Sequence, residues 1–230
     1  MIIQDKYLAK TCAIQDFESY GKRDFARPER DLKSGSMPPK LAQIMINLAQ
    51  AKLTEKIYDP FCGSGTIIQE ALVMGYKNVT GSDISEKAVS DTNRNLAWLE
   101  RSFKTPEIKV SLIDVRALSQ QVEDIDAIVT EPYLGPPLKG GETREQLLKN
   151  IAELEELYIA AFEQFSKVLN KDGHVVIILP TFRAGKETLE LKIQDKIKDL
   201  GFTQISKDDL FYSREDQKVF RNVRVFKLQS

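Results

Sequence analysis

The chain of 230 residues has two cysteines, one histidine and one tryptophan, and each scarcity removes a class of function. Cys12 and Cys62 are too few for a disulfide framework or a four-ligand zinc site. A single histidine, His174, all but removes a histidine-based catalytic centre, so no metal is expected. No apolar run reaches the ~18 residues that a membrane span needs. The opening stretch MIIQDKYLAKTCAIQDF lacks the apolar core and small-residue cleavage site of a secretory signal. An excess of one charge is missing too. With 33 Lys+Arg against 34 Asp+Glu, the net charge of −1 excludes a strongly basic nucleic-acid coat but permits a local basic patch. These absences point to a cytoplasmic protein with no membrane association. The length suits one α/β domain of generous size.

There is no internal repeat and no low-complexity tract. The chain changes character near residue 55. Before it lies the charge-mixed segment DFESYGKRDFARPERDLKSGSMPPK, then LAQIMINLAQAKL, where Leu41, Ile44, Met45, Leu48 and Ala49 recur with the period of one helix face. Pro38 and Pro39 suit the opening of that helix, where a missing N–H costs nothing. After residue 55, strand-like runs (KIYDP, NVTGSDI, IKVSLID, DAIVTEP, HVVIILP) alternate with helix-like ones. The latter are GTIIQEALVMG, SEKAVSDTNRNLAWLERS, REQLLKNIAELEELYIAAFEQFSKVLN and KETLELKIQDKIKDLG. Buried strands separated by helices predict a doubly wound, Rossmann-like α/β sheet with helices on both faces. FTQISKDDLFY and KVFRNVRVFKLQ, joined by the polar SREDQ, read as a closing antiparallel hairpin. The expected organisation is an N-terminal extension, residues 1–37, lying over the active site, followed by one domain over 38–230.

The strongest local signal is YDPFCGSGTIIQEA, residues 58–71. A strand ends at Asp59, a glycine turn follows, and a helix starts near Thr66. Gly63 and Gly65 allow a sharp turn and a close approach of backbone to ligand, although short glycine turns also occur for purely structural reasons. There is no GK[ST], so the loop is not a P-loop, and Ile68 stands where a dinucleotide fingerprint has its third glycine. Asp59 would repel a phosphate and welcome a cation. Asp83 ends the next strand, where a carboxylate can accept ribose hydroxyls, and Asp114 ends the third, within reach of an adenine amino group. Any one of these acids could merely cap a helix. Three ending successive strands read as a pocket for S-adenosylmethionine, with Asp59, Pro60, Phe61, Cys62, Gly63, Gly65, Thr66, Asp83, Ile84, Asp114, Val115 and Glu131 as its expected contacts.

DPFCGSGTIIQEA and GSDIS, preceded by ARPERDLKSGSMPPKLAQIMINLA, closely resemble the methyltransferase domain of the THUMP-associated tRNA guanosine methyltransferases, which act on the exocyclic 2-amino group of guanine. The upstream match is the more specific, since the glycine loop is shared by many methyltransferases. The resemblance covers roughly residues 25–180 and implies the class I methyltransferase fold, with strand order 3-2-1-4-5-7-6 and strand 7 antiparallel. It also implies a catalytic Asp/Asn-Pro-Pro-Tyr-Gly turn after the fourth strand. Here that turn reads TEPYLGPPL: Glu131 holds the acid position, Pro132 the first proline, Tyr133 the place of the second proline, and Gly135 the glycine. In such a turn the acid and the proline carbonyl accept the two N–H bonds of a planar amine while an aromatic ring stacks an extruded base. Glutamate moves the acceptor by about a bond length, and alignment is sensitive to roughly 1 Å. Glu131, Pro132 and Tyr133 are the expected catalytic residues. The family's THUMP module does not fit in segment 1–37, so the expectation is that the RNA grip comes from a protein partner or from this chain's own surface, or that the substrate is a different one.

Among the remaining candidates, Arg27 is expected to bind substrate, and Arg30 and Asp31, which open the RDxxxG element, are expected to close over cofactor or substrate. Phe182, in the strand-5 exit Pro180-Thr181-Phe182-Arg183, is expected to help place the base. Arg221 and Arg224 are expected to face solvent. His174 reads as structural, Cys62 as a packing residue with no base to activate it, and KGGETREQ as a candidate lid. The resulting expectation is a S-adenosylmethionine-dependent methyltransferase acting on guanine in tRNA. Two alternatives stay open: a cofactor-binding, non-catalytic subunit of an RNA-modifying complex, and a DNA amino-methyltransferase.

Overall fold

The computed structural model describes residues 2–4, 7–30, 37–138, 140–184, 187–206, 210–213 and 217–229. In chain order its elements are β1 (Ile2–Gln4), β2 (Tyr7–Ala9), α1 (Phe17–Phe25), α2 (Pro39–Leu48), β3 (Ile57–Asp59), α3 (Thr66–Val73), β4 (Val79–Asp83), α4 (Glu86–Phe103) and β5 (Ser111–Leu112). After a 3-10 turn over Val115–Gln120 come β6 (Ile125–Thr130), α5 (Arg144–Val168), β7 (Leu169–Ala184), β8 (Glu187–Glu190), α6 (Gln194–Asp199), β9 (Phe202–Gln204), β10 (Leu210–Tyr212) and β11 (Val219–Leu228).

The main sheet runs β10-β11-β7-β6-β3-β4-β5, with β9 also on β11 and β8 also on β7. The strands β5, β4, β3, β6 and β7 are parallel and β11 is antiparallel to β7. With β9 and β10 as two pieces of one edge strand, this is the expected 3-2-1-4-5-7-6 order. The parallel strands bury both faces, because helices cover each side. On one side α5 places Tyr158, Phe162 and Phe165 at zero exposure. Phe162 meets Phe202 and Phe226 edge-on at 5.1 and 5.2 Å, locking α5 to β9 and β11. Each such burial contributes about 1.5–3 kcal/mol. On the other side α2, α3 and α4 bury Met45, Ile46, Ile68 and Leu99. The helix starts are set locally: Ser85 accepts from Ala88 N–H before α4, and Thr143 and Gln146 form a capping box at α5.

Three expectations change in detail. The buried face of α2 is Leu41, Ala42, Met45, Ile46 and Ala49, whereas Ile44 is exposed; the helix, opened by Pro38 and Pro39, is turned one position from the predicted stripe. Residues 187–190 are strand rather than helix, because β7 continues beyond the sheet and β8 folds back along it, pairing Phe182 with Leu189. Only α6 remains of the predicted terminal helix. The third strand of the core shrinks to β5, yet Ile113 N–H still bonds to the Asp83 carbonyl at 3.1 Å, so Asp114 stays at the sheet's carboxyl edge.

Ahead of the sheet, α1 is fastened to α3 by an internal ion pair. Arg23 Nε donates to Glu70 Oε1 at 2.6 Å and Gln43 Nε2 to Glu70 Oε2 at 2.6 Å, with both charged groups nearly fully buried. Removing one partner would strand the other's charge in the interior, so this pair fixes where the extension lies. Further along, Asn95 of α4 donates to the carbonyls of Glu29 (3.0 Å) and Ser64 (2.9 Å), tying the extension to the glycine loop.

Candidate active site

The glycine loop is held by its own backbone and by side chains close in sequence. Gly63 has φ +53° and donates its N–H to Asp83 Oδ2 at 2.9 Å. Gly65 has φ +82° and opens α3; a Cβ there would lie 2.7 Å from Thr92 Cγ2, so only glycine fits. Thr92 in turn donates its hydroxyl proton to the Gly63 carbonyl at 2.7 Å. Asp83 Oδ1 accepts from Ser85 N–H (2.9 Å), so this one carboxylate shapes both the loop and the start of α4. Ile84 beside it is exposed and Val115 is buried. Asp114 accepts from Arg116 N–H at 2.9 Å and keeps a partly exposed carboxylate.

Asp59 is buried at the end of β3. Thr130 Oγ1 donates to its Oδ1 at 2.7 Å and Phe61 N–H at 3.2 Å. Burial pushes its carboxyl up to about 7; the Thr130 and Phe61 hydrogen bonds oppose this, and the neighbouring carboxylates Asp83 and Glu131 add to it. Among the described residues no cationic side chain pairs with it. Burial likewise raises the Cys62 thiol, which suits packing rather than nucleophilic chemistry.

The expected catalytic turn follows β6 directly. Pro132 is buried, while the Tyr133 ring is 57% exposed. The hydroxyl of Tyr158, from α5, lies 3.3 Å from both the Tyr133 and the Ile178 carbonyls. Gly135 (φ +94°) packs over Leu154 and Phe182. Glu131 is not open to solvent: Arg221 Nε donates to its Oε1 at 2.5 Å, with side-chain exposures of 8% for Arg221 and 16% for Glu131. Burial raises the Glu131 carboxyl and Arg221, by charge and hydrogen bond, lowers it.

The structure therefore gathers Asp59, Gly63, Gly65, Asp83, Asp114 and Glu131 along one sheet edge. The outlying candidates fare differently. Arg221 is buried in the ion pair rather than facing solvent, because its side chain reaches Glu131 at the carboxyl end of β6, where the carboxylate accepts from it. Phe182 is fully buried between β8 and β11, so it supports the turn from within and offers no ring to a base. Arg27 is buried and donates to Thr66 Oγ1 at 2.7 Å, bracing the start of α3. Arg30 stacks over Phe25 at 5.1 Å, and Asp31 lies outside the described residues. Thr92, Asn95, Thr130 and Tyr158 are not singled out from sequence, and Arg221 is read there only as a solvent-facing charge. Thr92 and Asn95 carried a signal, being polar residues on the inward face of an amphipathic helix. Arg221 carried none. Among the described residues no cluster of three or more His, Cys, Asp or Glu could hold a metal, and no helix is long and apolar enough to cross a membrane.

Residues 27–208 match the RMKL-like methyltransferase domain family, UPF0020. The chain belongs to that family. Among its curated relatives, the tRNA (guanine(10)-N2)-dimethyltransferases of Methanothermobacter thermautotrophicus and Methanocaldococcus jannaschii are 35% and 37% identical over 66% and 64% of this chain. The chain spans only 44% and 42% of their length. The human U6 snRNA (guanine-N(2))-methyltransferase THUMPD2 is 26% identical over 64% of the chain and 26% of its own length. Among solved structures, TrmN of Thermus thermophilus matches with TM-score 0.61 and 23% identity over 84% of this chain and 50% of that one. The magnesium protoporphyrin IX methyltransferase ChlM of Synechocystis PCC 6803, solved with bound S-adenosylmethionine, matches with TM-score 0.58 and 16% identity over 96% and 100%. The fold of this RMKL-like domain is that of the class I methyltransferases.

Proposed function

We propose that this RMKL-like domain is a S-adenosylmethionine-dependent methyltransferase acting on the 2-amino group of guanine in RNA, with tRNA as its substrate. The observation that carries the reading is the hydrogen bond from Thr130 to Asp59. It joins the last residue of β6, next to the Glu131-Pro132 turn, to the acid of the glycine loop, so a methyl donor on one and an amine on the other would meet. The names of the curated relatives supply the choice of guanine and of tRNA.

The residues present fit the cofactor. A buried carboxylate without a cationic neighbour suits an ammonium, which would restore its ionised form. Asp59 and the Gly63–Gly65 backbone would hold the methionine end, Asp83 the ribose hydroxyls, and Asp114, Ile84 and Val115 the adenine. When bound, S-adenosylmethionine supplies a methyl activated on a sulfonium and leaves as a neutral thioether. Glu131 and the Pro132 carbonyl accept the amine's N–H bonds and so direct the nitrogen lone pair at the methyl. The surplus proton of the methylated amine would pass to the Glu131 carboxylate. Tyr133, exposed beside the turn, is the stacking ring. Rate comes from alignment and fixed dipoles. On this reading the N-terminal extension lies over this edge, its described residues held by the Arg23–Glu70 pair and by the Asn95–Glu29 hydrogen bonds. A cytoplasmic location and a protein partner for the RNA grip belong to the same reading; exposed Ile14, Phe17 and Phe25 on and beside α1 support the partner.

Transfer of labelled methyl to unmodified tRNA, followed by digestion to nucleosides and chromatography, tests it. Label should co-elute with guanosine methylated at its 2-amino group, and Glu131→Ala should lower turnover about 10²–10³-fold. Turnover unchanged in Glu131→Ala would remove that residue from the mechanism. Tight cofactor binding with no transfer to any nucleic acid would favour a non-catalytic subunit instead.

A further inference from the structure

Glu131 leaves the end of β6, and Arg221 lies on β11. Between them runs β7, so the pair spans two strand spacings, about 9.6 Å of sheet. A short carboxylate at position 131 would fall one methylene further from the guanidinium. The glutamate closes on Arg221 Nε at 2.5 Å, and this is the only hydrogen bond to its carboxylate among the described residues. Oε1 is thereby occupied and Oε2 is left over. The pair is nearly dry, and an ion pair with little water around it fixes geometry far more firmly than an exposed one.

We propose that Arg221 is the positioning residue of this site: it holds the Glu131 carboxylate ionised and in a single orientation, leaving Oε2 as the acceptor for the target amine. On this view glutamate in place of the family's shorter acid is one half of a matched pair whose other half is Arg221. The proposal rests on the amine-methylating reading above. Three ionisable groups face Glu131: Asp59 from β3, Tyr158 from α5 and Arg221 from β11. Burial favours the protonated acid, and Arg221, by charge and hydrogen bond, opposes it. Without Arg221 the carboxyl would titrate higher. Less of it would then be ionised at neutral pH, and activity would recover as pH rises.

The test is the pH dependence of methyl transfer by the full chain carrying Arg221→Gln. The expected result is a kcat at pH 7 at least tenfold below wild type, rising with pH across 7–9, with KM for RNA within about twofold. Arg221→Lys, which keeps the charge but not the planar donor, should return the pH profile toward wild type while recovering kcat only in part. A loss confined to KM, or a kcat–pH profile parallel to that of wild type, overturns the proposal. Because Arg221→Gln alone strands a buried carboxylate, Glu131→Gln/Arg221→Gln is made beside it. That neutral pair should fold and should be no slower than Glu131→Gln alone, whereas additive losses would mean that Arg221 does not act through Glu131. An activity-independent readout separates this from failure of the functional reading. The carboxyl carbon resonance of Glu131, assigned by its absence in Glu131→Gln, should titrate at higher pH in Arg221→Gln than in wild type. An unchanged titration overturns the role of Arg221 even if RNA is methylated, and a wild type that methylates no RNA overturns the reading while the titration still decides the pair.

Discussion

The site has two halves built in different ways. The half on β3, β4 and β5 is closed by short sequence separations: Gly63 to Asp83, Gly63 to Thr92, and Asp83 to Ser85. Its geometry is set by positive φ and by strands too close for a side chain. The half after β6 is assembled from afar. Its acid, Glu131, depends on Arg221, 90 residues away on another strand. Backbone-built sites tolerate little local change, whereas side-chain-built sites can be retuned by substitutions elsewhere. That difference accounts for a standard glycine loop beside a candidate catalytic turn that departs from the pattern of the family it resembles.

The harshest way to break the first half is Gly81→Ala. A Cβ at this position in β4 would overlap the Asp59 carbonyl oxygen of β3 and crowd Ile68 Cδ1. Backbone cannot swing aside as a side chain can. We expect a loss of about 3 kcal/mol, or roughly 10 °C in Tm for a domain of this size, together with cofactor affinity. A melting curve that matches wild type would show that the strands separate more easily than their register suggests.

A gentler probe is pH. The Asp59 carboxyl is raised to about 7, so the unliganded site is largely protonated at pH 6 and largely ionised at pH 8. A cationic ligand needs the ionised form. Cofactor affinity should therefore rise about tenfold from pH 6 to pH 8 and level off above, with one proton released per cofactor bound at low pH. Calorimetry in buffers of different ionisation heat measures both quantities. Asp59→Asn should bind weakly with no such slope; a slope that persists would place the titrating group elsewhere, with Glu131 the next candidate.

The same division explains what could be read from sequence. Gly63, Gly65 and the strand-end acids Asp59, Asp83 and Asp114 announce themselves because backbone conformation and strand order are written in local pattern. Strand and helix alternation implied a parallel sheet with helices on both faces, and the strand order came from the family resemblance alone. Arg221 looked like an ordinary charge on a terminal strand, since its partner arrives through β6–β7–β11 pairing that no local period encodes. Phe182 looked available because the exit of β7 promised an open edge. The return of β8 covered it, and KETLELKI carries enough helix formers to hide that turn. Arg27 differs for a third reason: a long side chain can reach inward as easily as outward, and Thr66 accepts a hydrogen bond from it.

The smallest expected effect separates the halves most cleanly. Tyr158 is wholly buried, and its single hydroxyl proton is within reach of two carbonyls, Tyr133 and Ile178, at equal distance. Ile178 lies in the β7–β11 ladder, whereas Tyr133 sits in the exposed turn with fewer neighbours to hold it. Tyr158→Phe keeps the ring that packs α5 against the sheet and removes only this tether, at a cost of about 1 kcal/mol. If the tether serves the turn, the loss should surface in kcat, about fivefold, with cofactor affinity unchanged because, among the described residues, the Tyr158 hydroxyl bonds to the Tyr133 and Ile178 carbonyls and not to the glycine loop. If it serves the β7 ladder, Tm should fall by a few degrees with kcat per folded molecule unaltered. Cofactor affinity falling in step with kcat would mean that the two halves are mechanically joined, through Thr130 and Asp59, more tightly than their separate construction implies.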